Sequence, residues 1–170
     1  MKTYAKAQKR VIQEQQRQLQ MINCVCFMAL FKLGWDADKI VQRFNDATDI
    51  WTECREKGIS TFELLENETE IEMALDGEKS WHEFDQFAHN DRVVTDAEYI
   101  YSLHRRQRWI APLILACLAV SLHRVDGWGY DELVDLLAIT DAIRETCGDD
   151  VKAYVKAMEQ ETGYTPKVWE

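Results

Sequence analysis

Two features are scarce in this chain of 170 residues, and each scarcity excludes a class of fold. It has only 2 prolines and 7 glycines. A sandwich or barrel of many short strands uses both freely in its turns, so the sequence points to few connections and long helices. Nor is there a long apolar run. Trp109 to Leu122, among the longest stretches without Asp, Glu, Lys, Arg or His, is fourteen residues, against about 20 for a membrane span. It therefore reads as a helix buried on several sides. Residues 1–20 are polar and rich in Gln, so no leader peptide is expected there.

Basic residues are outnumbered, 20 Lys and Arg against 30 Asp and Glu, for a net charge of −10. That balance argues against general binding to nucleic acid or an anionic membrane, which rests on clustered cations. The five cysteines, Cys24, Cys26, Cys54, Cys117 and Cys147, show no CxxC spacing. They are expected to be reduced core thiols in a cytosol. No P-loop, GxGxxG, GxSxG or HExxH motif occurs. Neither a catalytic residue nor a cofactor is called for.

What the chain does have is an internal repeat. Residues 22–71 align without a gap on residues 115–164, with ten identities in fifty positions. Chance gives about three at average residue usage. The identities are Cys24/Cys117, Gly34/Gly127, Trp35/Trp128, Asp38/Asp131, Val41/Val134, Ile50/Ile143, Cys54/Cys147, Glu66/Glu159, Glu68/Glu161 and Thr69/Thr162. The expected organisation is a first helical unit over residues 1–77, a connector over 78–94 and a second unit over 95–170.

Each unit reads as three helices. The first ends near Leu33 or Val125, where Gly34 and Gly127 suit a left-handed cap. In the second copy Thr95 and Glu98 fit a capping box, and Pro112 predicts a kink or restart near Ala111. The second helix runs from about Asp36 to Lys57. Its stripe is Ile40, Phe44, Ala47, Trp51 and Cys54, and Leu133, Leu137, Thr140, Ile143 and Cys147 form the counterpart. The third opens on a Ser60–Glu63 capping box and runs to near Gly77; its counterpart spans about Asp150 to Thr162. In the connector, Trp81, Phe84, Phe87 and Ala88 mark one side of a short helix that would pack between the copies. The fold class expected is all-α: two tandem three-helix units packed in pseudo-twofold fashion, with the Trp109–Leu122 helix central.

Charge divides along the same lines. Residues 1–33 carry net +5, residues 34–98 net −12, residues 99–125 net +4 and residues 126–170 net −7. Such faces either attract the two copies to each other or stay solvated. Alternatively they offer an acidic surface to a basic partner. The candidate surface is Glu63, Glu66, Glu68, Glu72 and Asp76. Glu68, Glu72 and Asp76 are spaced i, i+4, i+8, which places like charges on one helix face at some cost to the helix. Helix-borne carboxylates of this kind can imitate a phosphate backbone. They could also hold Mg²⁺, as in all-α hydrolases that use ExxE pairs, but Glu63 and Glu66 lack a matching motif on a second helix.

Two other clusters stand out. His82, Asp85 and His89 would share a helix face with zinc-ligand chemistry, though only three ligands are in sight. His104, Arg105, Arg106 and Arg108 form the densest basic patch, suited to carboxylates of this chain or of a twin subunit. The repeated tryptophans are expected to pack at the helix corners.

At Gly34-Trp35-Asp36-Ala37-Asp38-Lys39-Ile40 and Gly127-Trp128-Gly129-Tyr130-Asp131-Glu132-Leu133 the chain resembles small all-helical proteins of Firmicutes phages and prophages. In those, an apolar helix is followed by glycine–aromatic–glycine, a basic residue and another apolar helix. A Glu-Glu-Thr-Gly-Ile-like tail often closes the unit; Glu68-Thr69-Glu70-Ile71 and Glu161-Thr162-Gly163-Tyr164 are similar to it. The chain departs at Asp36, where the second glycine belongs, and at Glu132, where the basic residue belongs. The resemblance covers about 50 residues of each copy and implies a mobile-element origin without an assigned activity. The function expected is therefore non-enzymatic binding to a host or phage protein, including inhibition of a nucleic-acid-binding defence or regulatory protein. A structural or accessory homo-oligomeric helical protein, with a homodimer as one form, and a metal-dependent all-α hydrolase are the alternatives.

Overall fold

In the computed structural model, residues 2–73 and 110–166 are described, and they form six helices and no strand. The first three are α1 (Lys2–Lys32), α2 (Ala37–Lys57) and α3 (Thr61–Thr69). The last three are α4 (Ile110–Asp126), α5 (Tyr130–Cys147) and α6 (Val151–Thr162). The chain is all-α over this range. Thr95, Glu98 and the 78–94 connector lie outside it, and Pro112 sits in the first described turn of α4.

The apolar half of α1 and nearly all of α4 form the centre. Met21, Ile22 and Cys24 through Leu30 are buried, as is every residue from Leu115 to Leu122. What covers these helices is less expected. The main neighbours of α4 are α2 and α3, whereas α1 packs chiefly on α5 and α6. The two central helices also touch each other. Each long apolar helix is thus covered by the short helices of the other half, and one continuous core results.

The corners follow from glycine. Gly34 and Gly127 have φ of +89° and +69°, a region where a side chain costs about 1–2 kcal/mol. After each corner a carboxylate opens the next helix. Asp36 accepts from the Lys39 N–H at 2.9 Å. In the second half the Glu132 side chain accepts from the Gly129 N–H at 2.9 Å. This gives the acid at Glu132 a capping role.

Three local expectations need correction. First, the stripe of α2 facing the core is Ile40, Arg43, Ala47, Ile50 and Cys54. Trp51 is 42% exposed, with the Arg55 guanidinium 5.5 Å from its ring centre; a cation of the same helix shields it. Second, the Ser60 hydroxyl makes no capping bond. The helix opens instead on the Ser60 carbonyl, which accepts from the Leu64 N–H. Third, α3 stops at Thr69, well before Gly77. The Thr69 hydroxyl donates to the Leu65 carbonyl at 2.6 Å and accepts from the Ile71 N–H at 3.3 Å. These side-chain bonds compete with the helix ladder, and Glu70 turns left-handed at φ +63°.

Thr162 repeats that arrangement, donating to Met158 and accepting from the Tyr164 N–H. There the left-handed residue is Gly163, at φ +69°. Glu70→Gly should therefore stabilise the chain by about 0.5–1 kcal/mol. The same change at the helical position Glu66 should destabilise it by about 1 kcal/mol. Urea melts of the two variants would check this.

Candidate functional site

The expected acidic face does not survive as one helix face. Because α3 ends at Thr69, Glu72 lies beyond it and no longer shares a row with Glu68. Glu63 and Glu72 are exposed, Glu66 is half-buried, and Asp76 lies outside the described residues. Glu68 is engaged: its carboxylate accepts from the Arg124 guanidinium at 2.6 Å, and Glu53 takes a second guanidinium nitrogen at 3.1 Å. Those bonds tie α2 and α3 to the end of α4 and hold the Arg124 pKa above its ordinary value, with the Glu68 bond the main cause. Lys57 and Arg124 together pull Glu53 below the usual carboxylate range.

A matching contact occurs in the other half. Lys32, at the end of α1, meets Glu161 of α6 at 3.3 Å. Glu68 and Glu161 are one of the ten sequence identities. Arg17 extends the pattern by donating to the Asp149 carbonyl while Glu14 holds its guanidinium.

The two corner tryptophans meet. Trp35 and Trp128 pack edge to face with ring centres 5.6 Å apart. Edge-to-face pairs of this kind add about 0.5–1.5 kcal/mol beyond burial. The Trp128 carbonyl accepts from His123 Nδ1 at 2.7 Å, and Lys39 Nζ stands 3.7 Å from the Trp35 ring centre. Beside them lies a buried ion pair that sequence reasoning missed. Two nitrogens of the Arg43 guanidinium bond the two carboxylate oxygens of Asp126, one at 2.9 Å, and a third bonds Asp46 at 2.8 Å. The Arg43 side chain is 8% exposed and Asp126 13%. A signal existed: position 43 falls between Ile40 and Ala47 in the core stripe, where a cation needs a partner.

The thiols are core groups. Four are buried and Cys147 is half-buried, all five free. Burial pushes Cys24 up to about 11 and Cys26 and Cys117 up to about 12, so near neutrality they are protonated and poor nucleophiles. A cavity of about 10 Å³ lies between α1, α4, α5 and α6, lined in part by Gln18, Arg144 and Tyr154. That is room for one water. Among the described residues, no group of three or more His, Cys, Asp or Glu is placed to hold a metal ion. His82, Asp85 and His89, and the basic patch His104, Arg105, Arg106 and Arg108, lie outside the described residues. Among the described residues no helix is long and apolar enough to cross a membrane.

Compared with protein-family models, curated proteins and solved structures, the chain gives no match.

Proposed function

We propose that this chain is a non-enzymatic protein-binding module built by duplication of a three-helix unit, the two copies interlocked in pseudo-twofold fashion about α1 and α4. One observation carries the binding part. Arg17, Lys32, Lys39, Arg43 and Arg124 all reach from one half to the other. Meanwhile Asp38, Asp49, Glu56, Glu63, Asp135 and Asp141 stand exposed, without an ion pair among the described residues. Those five bases are used between the halves, whereas these six carboxylates face outward. An outward acidic surface speeds encounter with basic proteins and rejects acidic ones. The matched contacts at Glu68 and Glu161, at Trp35 and Trp128, and at Thr69 and Thr162 support the duplication. The Gly-Trp corners support an origin in a phage or prophage. A host nucleic-acid-binding protein, whose own surface is basic, fits as the partner in the bacterial cytosol.

The test is capture from bacterial host lysate by the tagged full chain. Basic proteins should be retained at low ionic strength and released by about 0.5 M salt, where screening is nearly complete. The double change Glu63→Lys with Glu72→Lys should weaken retention. Capture indifferent to both salt and charge reversal, or no capture at all, would overturn the acidic-surface reading.

A further inference from the structure

The outer edge of α2 has a surface of its own, whose role rests on the protein-binding function proposed above. Beside the buried stripe, Ala37, Val41, Phe44, Thr48 and Trp51 follow at spacings of 4, 3, 4 and 3, a second row on the same helix. Val41 is 41% and Trp51 42% exposed, and Phe44 is half-buried. Next to this row run Asp38, Asn45, Asp49 and Glu56, all exposed, at spacings of 7, 4 and 7. The edge is therefore an apolar strip with an acidic margin.

The fold does not require the second half of that strip. At the corresponding positions of α5 stand Tyr130, Val134, Leu137, Asp141 and Arg144, a row of exposed and half-buried residues that begins apolar and ends charged. Where α5 carries a carboxylate and a guanidinium, α2 carries Thr48 and an exposed tryptophan. An exposed large aromatic at a position that accepts charge elsewhere in the same architecture marks an interaction surface. The strip also shows what it accepts. Arg55 already lies over the Trp51 ring, as a cation attracted to its face does. A second copy of this chain is disfavoured as the occupant of a symmetric contact, because that contact would bring Asp38, Asp49 and Glu56 against their own images.

We propose that this edge of α2 seats a basic amphipathic helix of a partner protein, with its apolar residues on Val41, Phe44 and Trp51 and its Lys or Arg side chains on Asp38, Asp49 and Glu56. This is helix recognition by an apolar strip with charge fixing the orientation.

The probe is a synthetic Leu/Lys peptide with leucines at i, i+3, i+4 and i+7, titrated into the labelled full chain. A peptide with Glu replacing each Lys is the control. Amide shifts should concentrate on α2, and the Glu peptide should leave them unmoved. Trp51→Ala should weaken binding about tenfold, as loss of an anchoring aromatic does. Trp51→Phe should restore most of it. Asp49→Lys with Glu56→Lys should weaken it further, and the thermal midpoint should hold in every variant, since these side chains are exposed. Shifts that map to α3 or α5 and ignore Trp51 would overturn the α2 seat yet leave the protein-binding reading intact. Concentration-dependent self-association abolished by Trp51→Ala would overturn the basic partner helix as occupant and put a second copy in its place. Failure of the peptide together with failure of the lysate capture would overturn both.

Discussion

Replacing Asp126 by alanine is expected to lower the unfolding free energy by about 3 kcal/mol, the low end for breaking a buried ion pair from one side. The reason is what remains. Arg43 would stay in the core stripe of α2 with only Asp46 to meet it, and the Asp46 side chain is 34% exposed. A nearly buried guanidinium with an incomplete set of acceptors costs more than the pair contributed. The other half indicates the remedy. At the positions matching Arg43 and Asp126 stand Leu136, 1% exposed, and Leu33, 41% exposed. The double change Arg43→Leu with Asp126→Leu should therefore recover most of the loss, and it could exceed the starting stability. Urea denaturation of the two variants decides the matter. If Asp126→Ala costs less than about 1 kcal/mol, the pair is no more than a surface contact.

That ion pair also shows where sequence reading stopped. Helix existence and most boundaries were legible because glycine corners and 3–4 periodicity are local signals. Gly34, Gly127 and Gly163 close helices where expected, and the buried run from Leu115 to Leu122 was visible as an uncharged stretch. The partner of each helix was not legible. Nothing in the periodicity of α1 says that α5 and α6 cover it while its own α2 touches it less. The error at Trp51 has the same root. A stripe through 40, 44, 47, 51 and 54 and one through 40, 43, 47, 50 and 54 are both helical. Preference for apolar residues chose the wrong one, because Arg43 becomes acceptable in the core only once Asp126, 83 residues away, is beside it. The helical charge row from Glu68 to Glu72 is broken for a local reason: Thr69 uses its hydroxyl to end α3 before the row can continue. Glu68, read from the sequence as part of a partner-binding face, is engaged instead by Arg124 of the same chain.

Alkaline pH should destabilise the chain in a way traceable to two thiols. An ordinary cysteine titrates near 9.0, and burial pushes Cys26 and Cys117 to about 12. Between those values the unfolded chain has lost protons that the folded chain still holds. Rising pH therefore favours unfolding. Their contribution is fully present below about pH 9 and declines above it by about 1.4 kcal/mol per pH unit and thiol. At pH 11 the two together remove about 5 kcal/mol, comparable with the whole stability of many domains. Cys24, pushed to about 11 by the same cause, acts in the same direction. Lysines and tyrosines titrate in this range too, so a variant must isolate the thiols. Cys26→Ala with Cys117→Ala serves, because Ala119 already occupies the counterpart of position 26 and is 2% exposed. The variant should start lower at about pH 7.5, by about 1–2 kcal/mol for each lost sulfur, and then fall less steeply. By about pH 10.5 the gap between the two proteins should have narrowed or reversed. Urea melts under a phosphine reductant at the two pH values measure both slopes. Parallel slopes would mean that the buried thiols do not carry the alkaline transition, and that α1 and α4 admit hydroxide or water more readily than their packing implies.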